Sequence, residues 1–393
     1  MLLSTSASTG AGAALRRLCP TSRPRRCSRC TAALVVGSGA AAVLFAIGIY
    51  HAPARSADVV CSTVNVGTLT AILPRYRAVR LCWPAAKASS TTLGANQRWP
   101  LHVFAHGDFA GAFLASGYFA LQERIAAQGF AVAMYLSCAF SPLQCEGGRS
   151  SFFEVLNVFT HLEARRGWWD DVIDPSRPWS ASGHSTGGRA VLMIAALKDE
   201  PRYLEGTGLA PRITPAHWAA LGKLGAVAAT HPDEMMLSLA VNPDVGRWKG
   251  AIRSTAVMVI TGTADWVEPP GSAWRAFEAV ASTDKLFVNL QNATHMTPQR
   301  DASEGCFIGA FAQRFALGNL SAEPLLYGDG PGSLVAELPV ARGEGPNQGA
   351  GNLGMVACLA HGRAAGSPML IGGRASDKCT PGVCGAGGRR WCE

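Results

Sequence analysis

The chain has little charge. Asp, Glu, Lys and Arg make up only 16% of its 393 residues, which excludes the highly charged compositions of solvating tails and disordered regions. Acidic residues are missing altogether from residues 1–57, which hold seven arginines (Arg16, Arg17, Arg23, Arg25, Arg26, Arg29 and Arg55) and no lysine. That segment accounts for +7 of the formal net charge of +8, so the other 336 residues carry 8 − 7 = +1. The body therefore lacks a basic surplus, and it lacks a basic stripe interleaved with aromatics. Nothing in it points to a nucleic-acid partner. There is no internal repeat, which excludes solenoids and propellers. Cys27-x-x-Cys30 has a metal-like spacing, but no second ligand pair lies nearby, and a zinc site needs about four ligands. No metal and no organic cofactor are expected.

Apolar runs long enough to cross a bilayer are confined to one stretch, residues 31–50, with six of the arginines before it. About twenty uncharged residues match the ~30 Å hydrocarbon core when helical. Three readings fit residues 1–57: a signal-anchor that leaves the body outside the cytosol, a cleaved signal peptide ending near Ala52-Pro53-Ala54, or a plastid or mitochondrial leader. The body is then secreted, membrane-anchored through residues 31–50, or in a plastid. Twelve cysteines, nine of them behind the leader, suit disulfides in an oxidising compartment. Cys61 with Cys82 and Cys138 with Cys145 are the local pairings the spacing suggests.

Behind the leader, strand and helix signals alternate from about residue 60 to about 318. Strands are predicted at 76–83, 101–105, 130–136, 179–183, 224–229, 256–261 and 285–290, and helices at 112–127, 152–165, 187–198, 272–281 and 303–317. Strands apolar on both faces, alternating with helices, predict an α/β domain over residues 58–338, with a mainly parallel central sheet and helices on both faces. Residues 201–218 are rich in Pro and Gly and read as an insertion, a candidate lid. Residues 339–393 are Gly-rich and aperiodic and read as a tail pinned by Cys379, Cys384 and Cys392.

One pentapeptide stands out: Gly183-His184-Ser185-Thr186-Gly187, between a short strand and an apolar helix. A serine on such a strand-to-helix turn needs small neighbours, hence Gly183 and Gly187, and is held up at the sheet's carboxyl edge. A serine hydroxyl is a weak nucleophile and needs a base, which in turn needs an acid to fix its tautomer. On this kind of sheet the chain order is Ser, then Asp or Glu, then His. Asp265 follows the 256–261 strand and His295 follows the 285–290 strand, so both sit at Ser185's edge. Asp233 is the rival acid, because it follows the 224–229 strand at that same edge; only one strand separates Asp265 from His295, which favours Asp265. His217 and His231 precede Asp265 in the chain and break the order. His51, His102, His161 and His361 read as structural. The oxyanion needs donors aimed at it. These are the Thr186 N–H and an N–H from the loop after the 101–105 strand, that of Asp108 or alternatively Phe109, where Gly107 permits close approach. Phe109 and Trp266 are candidates for an apolar substrate pocket; Trp274 reads as packing. Asn292 and Asn319 head glycosylation sequons, and the first is expected to stay unmodified because it abuts His295.

The segments LHVFAHGDF, GHSTGG, GTADWVEP and NATHMTP resemble, in order and context, the α/β-hydrolase branch that includes cutinase-like polyester hydrolases, chlorophyllases and platelet-activating-factor acetylhydrolase-like esterases. SEGCFIGAFAQRFALGN is similar to that branch's final helix, and GTADWVEP resembles its acid loop, which adds to the case for Asp265. The likeness spans roughly residues 61–335. It implies hydrolysis of a small or polymeric carboxylic ester by a Ser-His-Asp triad without metal or cofactor. Thr186 stands where chlorophyllases usually carry Arg, and the interval from Ser185 to Asp265, 265 − 185 = 80 residues, is longer than is usual there. Thioester or amide substrates, and a non-catalytic binding module on the same fold, are the competing readings.

Overall fold

The computed structural model describes residues 58–65, 78–85, 97–107, 115–136, 149–164, 167–205, 210–233, 250–282, 284–327, 334, 355–358 and 368–370. The leader, Asp108, Phe109, Cys138, Cys145 and the three tail cysteines lie outside them. No helix among the described residues is long and apolar enough to cross a membrane.

Among the described residues, ten strands form one sheet in the order β1-β2-β4-β3-β5-β6-β7-β8-β9-β10. The central six are β4 (Ala131–Leu136), β3 (Leu101–Ala105), β5 (Trp179–His184), β6 (Leu224–Thr230), β7 (Ala256–Gly262) and β8 (Lys285–Leu290). They pair in parallel throughout. Antiparallel strands complete both edges: β1 (Val59–Asn65) and β2 (Ala78–Pro84) on one side, β9 (Met355–Cys358) and β10 (Pro368–Leu370) on the other. The architecture is α/β, with a sheet that is parallel through its centre and flanked by helices.

The continuous apolar runs of the central strands have a direct cause: both faces are covered. Val103 and Ala105 point to one buried cluster and Phe104 to another; Val257 and Val259 alternate in the same way with Met258 and Ile260. The first cluster takes in helices α2 (Arg149–Ala164), α3 (Thr186–Asp199) and α5 (Pro270–Ala279). The second takes in α1 (Phe119–Ala126) and α6 (Ser303–Phe315). α3 is buried from Thr186 to Leu197, as expected for a helix that is apolar nearly all round.

Three features differ from the sequence reading. First, the edges are antiparallel. Cys61 lies directly opposite Cys82 in the β1–β2 register and the two are disulfide-bonded, with Cα atoms 4.1 Å apart. That is the pairing predicted from spacing. Cys306 on α6 is also disulfide-bonded. Second, residues 201–205 and 210–218, the described parts of the expected insertion, form short turns and the start of a helix. They join the end of α3 to the start of β6, at the amino edge of the sheet, and run into a helix, α4 (Pro215–Gly222). Thr214 caps that helix by accepting the His217 N–H, and Pro215 occupies its first turn, a favoured start. Tyr203, Leu204 and Leu221 pack into the α2–α3 cluster. Third, the Gly-rich segment past residue 339 contributes β9 and β10. Strands of three or four residues are too short to show periodicity, and these two extend the sheet by pairing their backbones with β8 and with each other.

Candidate active site

Three non-glycine residues among those described have left-handed backbones: Ser185 (φ 55), His231 (φ 45) and Asn292 (φ 58). All three follow the carboxyl ends of central strands, β5, β6 and β8. Such conformations cost about 1–3 kcal/mol each and cluster at functional sites. The strain therefore converges on one edge of the sheet.

Ser185 turns the chain from β5 into α3 with φ 55 and ψ −121. The turn leaves no room for side chains on its flanks. A Cβ on Gly183 would lie 2.3 Å from the Gly187 carbonyl oxygen, and one on Gly187 would lie 2.3 Å from that of Ala105. Both glycines are where the pentapeptide requires them. The Ser185 N–H donates to the Thr230 carbonyl (3.0 Å), and the Asp233 N–H donates to the Ser185 carbonyl (3.1 Å). The elbow is thus tied to the end of β6. Gly107, after β3, approaches closely: a Cβ there would stand 3.1 Å from the Ser185 Cβ. The first N–H groups of α3, Thr186 among them, have no partner within the helix and favour negative charge at this point. Asp108 and Phe109, the candidates for the second oxyanion donor, lie outside the described residues.

His295 and Asp265 meet. The His295 Nδ1 lies 3.1 Å from Asp265 Oδ2, and Asp265 Oδ1 accepts the N–H groups of Val267 and Glu268, both at 2.9 Å. A Cβ on Gly262 would lie 2.2 Å from the Ala293 carbonyl oxygen, so the turns that carry acid and base touch through a backbone that only glycine permits. Asp233, the rival acid, goes elsewhere. Its carboxylate lies 3.2 Å from Arg189 Nη1 in a buried ion pair. Arg189 is the one charged residue in the buried stretch of α3, and Asp233 neutralises it.

Sequence reasoning missed the residues behind the His295–Asp265 pair. His231, set aside because it precedes Asp265, bonds through Nδ1 to the same Asp265 Oδ2 at 2.6 Å. Its Nε2 lies 3.1 Å from Glu304 Oε1 on α6. Both ring nitrogens face carboxylates, and ionised carboxylates only accept, which favours the imidazolium form of the ring. Burial by itself would lower its pKa, but the charge of Glu304 and the hydrogen bonds to both carboxylates override it and push it up to about 9. Burial would also raise the pKa of Asp265; the bonds from His231 and His295 instead hold its carboxyl well below the usual carboxylate range. His184, just before the nucleophile, faces the His295 carbonyl with Nε2 (2.7 Å) and the Tyr118 hydroxyl with Nδ1 (2.6 Å). Burial, then the charges of His231 and His295, hold its pKa well below the ordinary histidine value. A neutral ring that must donate from Nε2 accepts at Nδ1, so Tyr118 donates. His184 thereby ties the turn at Ser185 to the turn at His295.

The legible signals for these residues were weak but present. His231 follows a strand at the site's edge, and Glu304 is the one acidic residue of α6, just before its apolar run. Trp266, a candidate for the substrate pocket, is 82% exposed beside Asp265. Trp274 packs on Phe277 and Phe287. Asn292 occupies the exposed turn before His295.

His231, Asp265 and His295 also bring one nitrogen or oxygen each within 4.8 Å of one another, close enough for a metal ion. Both Nδ1 atoms, however, lie at hydrogen-bonding distance from a single carboxylate oxygen, an arrangement that needs protons on the nitrogens. An acid–base network accounts for the contacts more simply.

None of the known protein-family models matches the chain, and no curated protein matches it significantly.

Proposed function

We propose that the chain is a serine hydrolase of the α/β-hydrolase type that cleaves hydrophobic carboxylic esters, with Ser185 as nucleophile, His295 as general base and Asp265 as the acid that orients it. One observation carries the reading: a left-handed serine at a strand-to-helix elbow shares a sheet edge with a buried His295–Asp265 pair. A strained serine, a base and an oriented acid are the parts that acyl transfer requires.

In this reading His295 takes the Ser185 proton through Nε2 as the hydroxyl oxygen bonds to the ester carbonyl carbon. The Thr186 N–H holds the oxyanion. Collapse breaks the bond to the leaving alcohol, which departs with the proton from His295. Water, activated by the same ring, then frees the acid. Asp265 remains ionised throughout, as its four hydrogen bonds favour. The Cys61–Cys82 disulfide supports an oxidising compartment, in keeping with a secreted or membrane-anchored body.

Incubation of the full-length protein with a fluorophosphonate, followed by peptide mapping, tests the proposal. The adduct is expected on Ser185, and Ser185→Ala should lose labelling and essentially all hydrolysis of a p-nitrophenyl ester. Folded wild-type protein that does not label would overturn the assignment and favour a binding module.

A further inference from the structure

The elbow holds one polar atom that the triad does not use. Thr186 is 2% exposed, and its hydroxyl oxygen, shut off from solvent, meets no hydrogen-bond partner among the described residues. A hydroxyl in that state has lost its water without a replacement, which is unfavourable. Valine has nearly the same shape and would avoid the loss. Buried polar groups without partners are uncommon in folded proteins, and a catalytic role is one of the few reasons to keep one.

The position explains why the usual partners are missing. A threonine inside a helix turns its hydroxyl onto the carbonyl three or four residues back. Thr186 is the first residue of α3, so the residues three and four back, Gly183 and Ser182, belong to β5. The Gly183 carbonyl instead accepts the Thr230 hydroxyl at 3.2 Å. Ser185, at the helix cap, does not cap the helix with its side chain. The start of α3 is therefore left to face an anion.

The glycines of the first turn show which way Thr186 faces. A Cβ on Gly187 would lie 2.3 Å from the Ala105 carbonyl oxygen and 2.6 Å from that of His106, at the end of β3. One on Gly188 would lie 3.1 Å from the Thr230 carbonyl oxygen, at the end of β6. Successive residues are turned by about 100° around a helix. Thr186 therefore lies on the flank opposite Gly188, away from β6 and beside the strand end that leads into Gly107. Helical Cα–Cβ bonds also tilt toward the amino terminus, which directs the Thr186 side chain back toward Ser185. Gly107 bounds the same space, since a Cβ there would stand 3.1 Å from the Ser185 Cβ.

We propose that the Thr186 hydroxyl is a catalytic group: it donates to the oxyanion that forms when Ser185 attacks the ester carbonyl, beside the N–H of the same residue. The inference rests on the esterase reading above. As the Ser185 oxygen bonds to the carbonyl carbon, the carbonyl π pair moves onto its oxygen, and the hydrogen bond from Thr186 strengthens with that charge. When the alcohol leaves, the pair returns and the bond weakens. The hydrogen stays on Thr186 throughout. A donor that strengthens only as charge develops raises kcat and leaves ground-state binding nearly unchanged.

Thr186→Val, Thr186→Ala and Thr186→Ser in the full-length protein separate the hydroxyl from the shape. Hydrolysis of a p-nitrophenyl ester gives kcat and KM. A trifluoromethyl ketone, which Ser185 converts to a charged tetrahedral adduct, gives an inhibition constant, and urea unfolding gives stability. We expect Thr186→Val to lower kcat about 10²-fold, the low end of what loss of an oxyanion donor costs. KM should stay within about threefold, as for an interaction made only in the transition state. The ketone should bind more weakly by a factor similar to the loss in kcat. The urea midpoint should be no lower than in the parent, because the hydroxyl removed was unpaired. Thr186→Ser should keep kcat within about fivefold, since its donor remains. Thr186→Ala carries the test if the valine variant does not fold. A merely structural threonine predicts the reverse: a lower urea midpoint, and wild-type kcat in the molecules that remain folded. Wild-type kcat in a folded variant without the hydroxyl, or an equal loss in Thr186→Ser, overturns the inference; fluorophosphonate labelling of Ser185 in the parent then leaves the esterase reading standing. A parent that does not label at Ser185 overturns the two together.

Discussion

At the scale of single residues, the two candidate acids are distinguished by what surrounds them. Asp233 faces a guanidinium within the fold, while Asp265 faces two histidines and two main-chain N–H groups. This contrast makes a direct prediction. In Asp265→Asn, either orientation of the amide sets its NH2 group against donors: the two histidines on one side, Val267 and Glu268 on the other. His295 then loses its orientation and its tautomer, and kcat should fall by about 10³–10⁴-fold, the range found when a triad acid is replaced by its amide. Asp233→Asn leaves Arg189 with a weakened partner. It should lower the denaturation midpoint while the folded protein keeps its labelling rate within about threefold, since the pair does not touch the base. Ester hydrolysis and urea unfolding of both variants check this; the opposite pattern would transfer the acid role to Asp233. Asp233 and Asp265 both follow central strands of one sheet, so chain position alone could not separate them. The contacts do.

At the scale of elements, the site is assembled by turns at the carboxyl ends of β5, β6, β7 and β8, pressed together where glycine allows it. The elbow is the tightest of these. Gly187→Ala inserts a methyl group 2.3 Å from the Ala105 carbonyl oxygen, and a backbone oxygen cannot swing aside as a flexible side chain would. The expected cost is about 1–3 kcal/mol of stability. The labelling rate of the molecules that remain folded should also fall by at least about tenfold, because the elbow must shift to make room. Gly222 offers the control: no atom lies within 4 Å of a Cβ there, and Gly222→Ala should change neither quantity appreciably. If Gly187→Ala labels at the wild-type rate, the elbow is not the rigid device described above.

At the scale of the whole molecule, a parallel centre is bounded by antiparallel edges, and the amino-terminal edge is closed by the Cys61–Cys82 disulfide across neighbouring strands. The bridge joins residues 21 apart, a loop for which chain entropy suggests a stabilisation of about 3 kcal/mol. Replacing both cysteines by serine should lower the thermal midpoint measurably and leave the Ser185 labelling rate of the folded protein unchanged, since β1 and β2 contribute no residue to the site. A loss of labelling without a loss of stability would show that this edge is coupled to the elbow. The sequence by itself determined a large part of this protein. Apolar runs marked the central strands other than β5, because burial on both faces leaves little polar alternation, and β5 was marked by the elbow that follows it. Small residues around Ser185 marked the elbow, because a strained turn tolerates nothing larger, and the order Ser185, Asp265, His295 followed from which strand each residue ends. Cys61 and Cys82 could be paired from their spacing. Other features were decided only by the tertiary structure. The antiparallel edges and the strands past residue 339 depend on which backbones remain unpaired when the centre closes. The place of residues 201–205 and 210–218 depends on which edge of the sheet α3 ends at. The network behind the base joins His231 to Glu304, 73 residues apart along the chain. Neither residue carries a local pattern that announces the other, since a buried ion network is defined by partners in space, and only the packing of α6 against the ends of β6 and β7 brings them together.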